Sequence, residues 1–291
     1  MKKGNNKLHI EGILLEKKVA GKGVGKAGKW MKVEFLIGDK TGAEIPVTIM
    51  QSEEIVKTGE LNKNYQALET VVKEYKSVAE VGRENADYVA IKNGSISKNV
   101  YKNKQGQLTE FVTFESRYIS RISGDVIIDK STLTVSGIVN KILPKAEGTE
   151  LLVRFLIPDY SGALEYYDFQ VTNPEAVAYF EENIEVGMSL EMDIDIDYRS
   201  VKEKVLIKRS FGGDRVEETT KTIHKLEITG VQELMGENEW DSDEVATGIL
   251  ELEKRYEAIL NSETKKTKNS TEPSSFNAQK SSAVDDMDIP F

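Results

Sequence analysis

An internal repeat constrains the fold of this 291-residue chain more than any other feature of its sequence. The segment "VEFLIGDKTGA" at Val33–Ala43 recurs as "VRFLIPDYSGA" at Val153–Ala163, shifted by 120 positions. Upstream of each segment, Ile10–Ile13 matches Val135–Ile138, with a shift of 125. The chain therefore contains two related segments in the same internal order.

A third match lies downstream, where "EYKSV" at Glu74–Val78 is similar to "DYRSV" at Asp197–Val201. Three ordered matches at nearly one offset predict two copies of a single domain. The period is far too long for a solenoid unit, so we expect each copy to have its own hydrophobic core.

Alternating apolar residues predict β-strands in each copy. Met31, Val33, Phe35 and Ile37 alternate with more polar neighbours, which is the period of a strand with one buried face. The segment 39–42 has turn composition, and 43–49 alternates again. In the second copy, 190–198 alternates apolar residues with acids and also predicts a strand.

The region after the third strand is ambiguous in the first copy. Leu61, Leu68, Val72 and Tyr75 have helix-like spacing, but the equivalent part of the second copy is predicted as a strand. We therefore predict only a short helix at about 52–58. Its counterpart is 173–183, where Asn173 followed by Pro174 is a typical helix start.

The predicted order is three strands, a short helix and two strands, which is the order of the OB-fold, a small Greek-key barrel. Extra strands are expected at about 96–122 and 219–233. The fold class is thus all-β, with two tandem OB-fold barrels. The expected boundaries are 1–125 for the first barrel, 126–235 for the second, 236–262 for an acidic helical segment, and 263–291 for a disordered tail.

The acidic segment is predicted to be an amphipathic helix. Its apolar residues recur at steps of three and four, at Val245, Ile249, Leu252, Tyr256 and Ile259. The following polar stretch has too few apolar residues to form a core, so we expect a disordered linker there.

Charge is distributed unevenly along the chain. The formal net charge is −10, yet the first 32 residues contain nine lysines and two glutamates. Residues 233–263 contain ten acidic and two basic side chains. A basic N-terminal segment could bind nucleic acid even though the net negative charge of the whole chain disfavours such a ligand.

Composition excludes several chemistries. The chain has no cysteine, which rules out disulfides and thiol catalysis and fits a cytoplasmic protein. His9 and His224 are the only histidines, so zinc sites and histidine triads are poorly supported. Neither an apolar membrane span nor a signal peptide is expected, and we expect no metal and no cofactor.

The stretch "GKGVGKAGKW" at Gly21–Trp30 contains the pattern G-x-x-x-x-G-K of a phosphate-binding loop. That motif needs Ser or Thr next and then a helix, whereas Trp30 follows here and the next segment predicts a strand. We interpret the stretch instead as a flexible, basic loop joining the first two strands. In OB-folds that loop borders the binding face.

A binding site for single-stranded nucleic acid is predicted around this loop. Lysines would neutralise phosphates, and Trp30 on the open strand face would stack on a base. The alternatives are that Trp30 packs under an extra strand, that the lysines are merely solvated, and that the tyrosines are structural. The candidate residues are Lys17, Lys18, Lys22, Lys26, Lys29, Trp30, Lys32, Tyr75, Lys76, Tyr101, Lys102 and Lys104.

The second copy differs from the first where binding is expected. Glu150, Leu152 and Arg154 occupy the positions of Trp30, Lys32 and Glu34. Three aspartates, Asp193, Asp195 and Asp197, lie on the outward side of its predicted strand, where they would repel DNA. We expect the first barrel to be the main site, and the second to bind weakly or to support assembly, for example as a homodimer.

The chain closes with an acidic run followed by an apolar tip, formed by Asp285, Asp286, Asp288, Ile289, Pro290 and Phe291. Such a peptide can dock Phe291 in an apolar pocket with a basic rim. The tip resembles the tails of bacterial-type single-stranded DNA-binding proteins. The resemblance implies that it recruits replication, recombination or repair proteins. That family usually has one OB-fold per chain, and the divergence fits a phage or mobile-element member.

Three functions remain open from the sequence. The first is a non-enzymatic, sequence-tolerant protein that binds single-stranded DNA and recruits partners through its tip. The second is a structural or protein-binding OB module that does not bind DNA. The third and weakest is a nucleotidase that uses the glycine-rich loop.

Overall fold

The computed structural model contains two β-barrels in tandem, one from each copy of the repeat. The structure describes residues 3–55, 58–124, 128, 130–145, 149–159, 161–207, 211, 215–236 and 239–262. The predicted disordered tail, 263–291, lies outside the described residues.

The first barrel comprises six strands and two helices. Its elements are β1 (Asn6–Gly25), β2 (Gly28–Gly38), β3 (Glu44–Ser52), α1 (Lys63–Glu74), α2 (Val78–Val81), β4 (Tyr88–Lys102), β5 (Leu108–Ser116) and β6 (Ser120–Ile122). The second barrel comprises β7 (Thr132–Lys145), β8 (Glu150–Pro158), β9 (Leu164–Val171), α3 (Pro174–Asn183), β10 (Ser189–Ile207) and β11 (Arg215–Glu233). Helix α4 (Ser242–Asn261) follows.

Both barrels close in the same way. In the first, β1, β2 and β3 form an antiparallel meander, β5 pairs in parallel with β3, and β4 pairs with both β5 and β1. In the second, β7 to β11 repeat these pairings strand for strand. This closed five-stranded order, with a helix between the third and fourth strands, is the OB-fold. The predicted fold class is confirmed.

The turn after β2 shows how closely the copies agree. Oδ1 of Asp39 accepts hydrogen bonds from the backbone N–H groups of Thr41 and Ala43 at 2.9 and 3.1 Å. Asp159 accepts equivalent bonds from Ser161 and Ala163 at 2.7 and 3.0 Å. The glycine in each turn has a φ near +90°, which favours glycine over residues with a Cβ. The predicted turn is confirmed in both barrels.

A glycine on the first strand of each barrel lets two backbones approach closely. A methyl group on Gly12 would collide with the carbonyl oxygen of Gly38, and one on Gly137 with that of Leu156. Each strand also has a bulge just after this glycine, at Leu14/Glu16 and at Val139/Lys141. The second repeat match, Ile10–Ile13 with Val135–Ile138, therefore marks equivalent structure.

The two barrels are joined by their first strands. Asn6–His9 of β1 pairs antiparallel with Thr132–Val135 of β7, and Leu8 also pairs with Gly94 of β4. The ring of Phe114 in the first barrel meets that of Tyr198 in the second edge to face, with centroids 5.2 Å apart. The pairing continues one sheet across both barrels, and the apolar core is continuous between them.

The prediction of a short helix at 52–58 is wrong. Strand β3 runs to Ser52, and the helix is α1, whose buried residues are Tyr65, Leu68 and Val71. The helix-like spacing of this region was the correct signal. The second copy is a poor guide to this region, because its helix is shorter and its fourth strand begins sooner after the helix.

The third repeat match is a coincidence of sequence. Glu74–Val78 contains the end of α1 and the start of α2, whereas Asp197–Val201 lies within β10. The fourth strand of the first barrel is β4, well downstream of that match. The prediction that 96–122 and 219–233 are extra strands added to complete barrels is therefore wrong. The first segment contains the end of β4, all of β5 and the short β6, and the second contains the end of β11.

Helix α3 begins as predicted, and helix α4 lies within the predicted acidic helical segment. Asn173 and Asp241 are their N-caps, and each side chain accepts hydrogen bonds from backbone N–H groups of the first turn. The apolar side of α4 packs on the outside of the second barrel, with Leu252 and Trp240 buried against Leu156 and Leu164. No helix in the described ranges is both long and apolar enough to cross a membrane.

We expect Gly12→Ala and Gly137→Ala to destabilise the protein by about 1–3 kcal/mol or more each, because the methyl group meets backbone rather than a flexible side chain. Chemical denaturation would measure the loss. Gly25→Ala is the matched control, since its methyl group would meet its nearest neighbour at an ordinary 3.7 Å. Unchanged unfolding of Gly12→Ala would contradict the close approach.

Candidate nucleic-acid interface

The glycine-rich stretch is a β-hairpin. Gly25 pairs with Gly28, so only Lys26 and Ala27 lie between the paired strands β1 and β2. The expectation of a flexible loop is therefore wrong, although the stretch does connect the first two strands. No helix follows Lys29, which continues into β2, and the hairpin lacks the geometry of a phosphate-binding loop.

The glycines of this hairpin form a platform for Trp30. A bulge between Val19 and Gly21 sets the register, after which Gly23 stands opposite Trp30. A methyl group would lie 3.2 Å from the indole ring at Gly21 and 2.9 Å from Nε1 at Gly23. At Gly25 it would lie 3.7 Å away. Alternate glycines thus let the half-buried indole lie flat along the strand.

A groove opens on the same face of the first barrel. It has a volume of about 740 Å³ and is walled by β2 and β3 on one side and by β4, β5 and the segment after β5 on the other. Its side chains include two cations, three large apolar or aromatic groups and several amides. The principal ones are Lys32, Met50, Asn93, Asn99, Phe111, Arg117 and Tyr118.

Strand register explains why these residues meet. Lys32 pairs with Met50, and Trp30 pairs with Ser52, so Trp30 and Lys32 lie on one face two residues apart. Met50 is 58% exposed, which is unusual for such a large apolar side chain. The Trp30 platform therefore continues the groove toward the hairpin turn, giving an exposed strip with cations and stacking surfaces.

Lys32 is the most enclosed of the groove cations. Its Nζ lies 3.7 Å from a carboxylate oxygen of Glu34, and its side chain is 18% exposed. Glu34 is buried, so removing Lys32 would leave a poorly solvated carboxylate. Arg117, by contrast, is exposed.

The other predicted lysines of the hairpin lie on both of its faces. Lys18 is exposed and pairs with Glu34, on the Trp30 face. Lys22 pairs with Met31 and Lys29 with Val24, so both belong to the opposite face. Lys29 lies 3.6 Å from Glu53, and Lys26 is exposed in the turn.

Lys17, Tyr75 and Lys76 lie away from the groove. Nζ of Lys17 donates to the carbonyl oxygens of Val72 and Tyr75 at the end of α1, and the side chain is only 10% exposed. The Arg121 guanidinium covers the Tyr75 ring at 4.5 Å from its centroid. Lys76 is exposed beside this cluster. The structure thus assigns Lys17 and Tyr75 packing contacts.

Tyr101, Lys102 and Lys104 belong to the β4–β5 hairpin. Tyr101 meets Phe111 edge to face, with centroids 5.9 Å apart, which links it to the groove wall. Nζ of Lys102 donates to the carbonyl oxygens of Leu260 and Ser262 at 2.6 and 3.3 Å, where α4 ends. Lys104 is exposed in the hairpin turn.

Sequence reasoning missed much of the groove. Met50, Phe111, Arg117 and Tyr118 were not singled out, although the alternation in "FVTFESRY" places Phe111, Thr113, Glu115 and Arg117 on one face of β5 and its extension. The prediction of an extra strand over about 96–122 contains this alternation but does not connect it to the binding face.

Helix α4 covers part of the corresponding face of the second barrel, where Tyr166 packs against Tyr256. Tyr256 of α4 bonds to Glu165 of β9, and Arg255 donates to the carbonyl oxygen of Leu164 at 2.9 Å. Burial and the bond to Glu165 raise the pKa of the Tyr256 hydroxyl. Leu152, at the position of Lys32, pairs with Gln170, so the cation of the first barrel has no counterpart there.

Further along the same face, Arg154 pairs with Asp168 in a bidentate contact at 2.8 and 2.9 Å. That hydrogen bond is the main reason why the Arg154 pKa is raised, and Glu110 from the β4–β5 hairpin adds to it. The hairpin of the first barrel therefore lies near this face of the second, and strand β4 contacts β9.

The acidic strand of the second barrel does not form a metal site. Asp193 accepts from Thr134 at 2.8 Å, Asp195 pairs with Lys130, and Asp197 pairs with Arg199 at 2.9 Å. Within the part of the chain that the structure describes, no three acidic or histidine side chains cluster as metal ligands would. The candidate docking tip, 285–291, lies outside that part.

Comparison with known proteins gives one family. A protein-family model named YorF matches residues 4–266. A search of curated proteins found no match.

Among solved structures, the chain is similar to the wild-type single-stranded DNA binding protein from Thermus aquaticus. The TM-score is 0.49 at 8% identity, covering 83% of this chain and 98% of that one. The mitochondrial single-stranded DNA binding protein Rim1 from S. cerevisiae matches with a TM-score of 0.25 at 15% identity, over 37% of this chain and 97% of that one. The N-terminal domain of PriB from Thermoanaerobacter tencongensis matches with a TM-score of 0.21 at 17% identity, over 36% of this chain and 97% of that one.

The glycine platform makes a prediction for fluorescence. Gly23→Ala should displace the indole of Trp30 and increase its quenching by acrylamide, because the new methyl group cannot remain 2.9 Å from Nε1. Trp240 is buried and should contribute little to the change. Gly25→Ala, with room for its methyl group, should quench like the parent protein. Equal quenching of all three proteins would show that the indole does not lie on the glycines.

Proposed function

The chain belongs to the YorF family, and we propose that this member is a sequence-tolerant single-stranded DNA-binding protein whose main site is the groove of the first barrel. The observation that carries the proposal is a strip in which half-buried Trp30 and Lys32 lie beside the exposed side chains of Met50 and Arg117. Sequence-tolerant binding needs π-faces for the bases and cations for the phosphates, and the strip offers both.

The chemistry of the groove favours a single strand over a duplex. Its aromatic side chains, Phe111 and Tyr118, line the same cavity as the cations. Bases of a single strand are free to stack on such rings, whereas duplex bases are already stacked on one another. In an electrophoretic mobility-shift assay, the protein should therefore bind oligo-dT much more tightly than duplex DNA of equal length.

We assign one such groove to each chain. Helix α4 packs over part of the equivalent face of the second barrel, and the β4–β5 hairpin of the first barrel lies near another part. The second barrel instead supports the first through the shared strand pairing. A homodimer would then present two grooves. We regard the protein as a binding protein rather than an enzyme.

The tip of the chain is proposed to recruit partner proteins. Ile289, Pro290 and Phe291 would fill an apolar pocket on a replication, recombination or repair protein, and the preceding aspartates would meet a basic rim. The contact of Lys102 with the carbonyl oxygens of Leu260 and Ser262 places the end of α4 beside the β4–β5 hairpin.

Binding of oligo-dT should depend on the strip. Trp30→Ala should weaken binding by roughly 1–3 kcal/mol through loss of stacking. Arg117→Gln should weaken it and lower the salt dependence, whose log–log slope is about 0.7 per phosphate contacted. Fluorescence anisotropy at several salt concentrations measures both effects.

Lys63→Gln is the matched control for Arg117→Gln, because it removes an exposed cation from the start of α1. It should leave the affinity nearly unchanged. If neither oligo-dT nor any other single strand binds, the proposal fails and the structural-module alternative is favoured. An ATPase assay on the same preparation tests the nucleotidase alternative.

The tail should compete weakly with DNA for the groove. Because the linker starts beside the β4–β5 hairpin, the acidic tip has a high effective concentration near the cations. Deleting 285–291 should raise affinity for oligo-dT slightly, and most at low salt, where screening is weakest. Replacing Asp285, Asp286 and Asp288 by Asn should have the same effect at full length. No gain at low salt from either variant would rule out the competition.

A further inference from the structure

The groove contains an acidic residue that phosphate binding does not explain. Glu115 is exposed, lines the cavity with Lys32 and Arg117, and stands beside Thr48 of β3 and Ser95 of β4. Its Oε1 accepts hydrogen bonds from the hydroxyls of Ser97 at 2.6 Å and Thr113 at 3.3 Å. In the described part of the chain, Glu115 forms no ion pair, and its Oε2 has no hydrogen-bond donor.

The position of Glu115 relative to the cations orients a bound strand. Lys32 pairs with Met50, whereas Glu115 pairs with Thr48, two residues further along β3. Side chains two residues apart on one face of a strand are separated by about 7 Å. Phosphates held by Lys32 and Arg117 are repelled from Glu115, so a base rather than a phosphate must lie against the carboxylate.

A carboxylate only accepts hydrogen bonds, and this decides which base edges it favours. The exocyclic amino group of cytosine donates to carboxylates, as the pairing of Glu or Asp with cytosine N4 shows. Thymine and uracil present a carbonyl oxygen at the same position, which a carboxylate repels. The Ser97 hydroxyl donates to Oε1, and the Thr113 hydroxyl lies within 2.7 Å of Ser97 Oγ, so the carboxylate is already held by side chains when the base arrives.

We propose that Glu115 gives the groove a preference for bases carrying an amino group, cytosine in particular, over thymine and uracil. This inference rests on the proposed function, since it requires that a single strand occupies the groove. The protein would then bind single strands of any sequence, but with higher affinity where a base with an amino group meets Glu115. The preference arises from a hydrogen bond, in addition to the stacking on Trp30 and the aromatic walls.

The test compares oligodeoxycytidine with oligodeoxyuridine of equal length, above neutral pH and at fixed salt, by fluorescence anisotropy. Using uracil instead of thymine removes any contribution of the thymine methyl group to the difference in affinity. The parent protein should bind the cytosine oligomer about threefold to tenfold more tightly, the net worth of one ordinary hydrogen bond, because the carboxylate is exposed to water. Glu115→Gln should bring the ratio close to one, chiefly by improving uracil binding, because an amide can donate to the carbonyl oxygen.

Glu110→Gln is the matched control. Glu110 is on the same strand as Glu115, and its replacement by Gln removes the same charge. However, Glu110 forms an ion pair with Lys98 and does not line the groove. This variant should keep the parent ratio, and Arg117→Gln should weaken both oligomers equally.

Equal binding of the two oligomers by the parent protein would overturn the inference while leaving the proposed function intact. An equal gain for both oligomers in Glu115→Gln would also overturn it, since Glu115 would then act only as a repulsive charge. If neither oligomer binds the parent protein, the proposed function fails and the inference fails with it.

Discussion

The pairing of β1 with β7 is the interaction on which the arrangement of this protein depends. Leu8 pairs with Gly94 of its own barrel and with Leu133 of the other, so the backbone of β1 is bonded along both edges at this point. The Asn6 side chain adds two bonds of 2.9 Å to the backbone of Ile96. The first strands therefore expose no sheet edge here and fix the barrels side by side.

That arrangement makes two similar barrels functionally unequal. With the barrels fixed, the β4–β5 hairpin extends toward the second barrel, where Glu110 lies near Arg154. Helix α4 covers apolar residues of the same face, and its end is held by Lys102 of the hairpin. The groove of the first barrel is left open, whereas part of the equivalent face of the second barrel is used for packing.

Charge acts locally in this protein. The chain as a whole carries a net charge of −10, yet Lys32 and Arg117 line the groove of the first barrel. Glu115 lines the same groove, so the groove combines both signs of charge. A uniformly basic surface would attract any polyanion. A mixed surface with aromatic side chains places phosphates and bases at different positions, and this is the basis for proposing a base preference.

The sequence by itself determined the repeat, the strands around 31–49 and 190–198, the turn at Asp39, the start of α3 and the helical nature of the acidic segment that contains α4. These features depend on local signals, namely alternation, turn composition and capping side chains, which are contained in short windows. It also indicated Trp30 and Lys32 as neighbours on an open face, because residues two apart on a strand share a side. Local pattern was misleading where the two copies were assumed to be equal, at 52–58 and Glu74–Val78, and where glycines were interpreted as a flexible loop, at Gly21–Trp30.

Only the tertiary structure decided which residues share the groove. Met50, Phe111, Arg117 and Tyr118 come from segments far apart in sequence, and the parallel pairing of β3 with β5 brings them together. It also showed that Lys17 and Lys102 bond to the ends of helices, contacts that a list of lysines cannot reveal. The physical reason is that strand pairing joins residues distant along the chain. No local pattern specifies which strand will become the neighbour of another, whereas the period within each strand is local and was visible from the start.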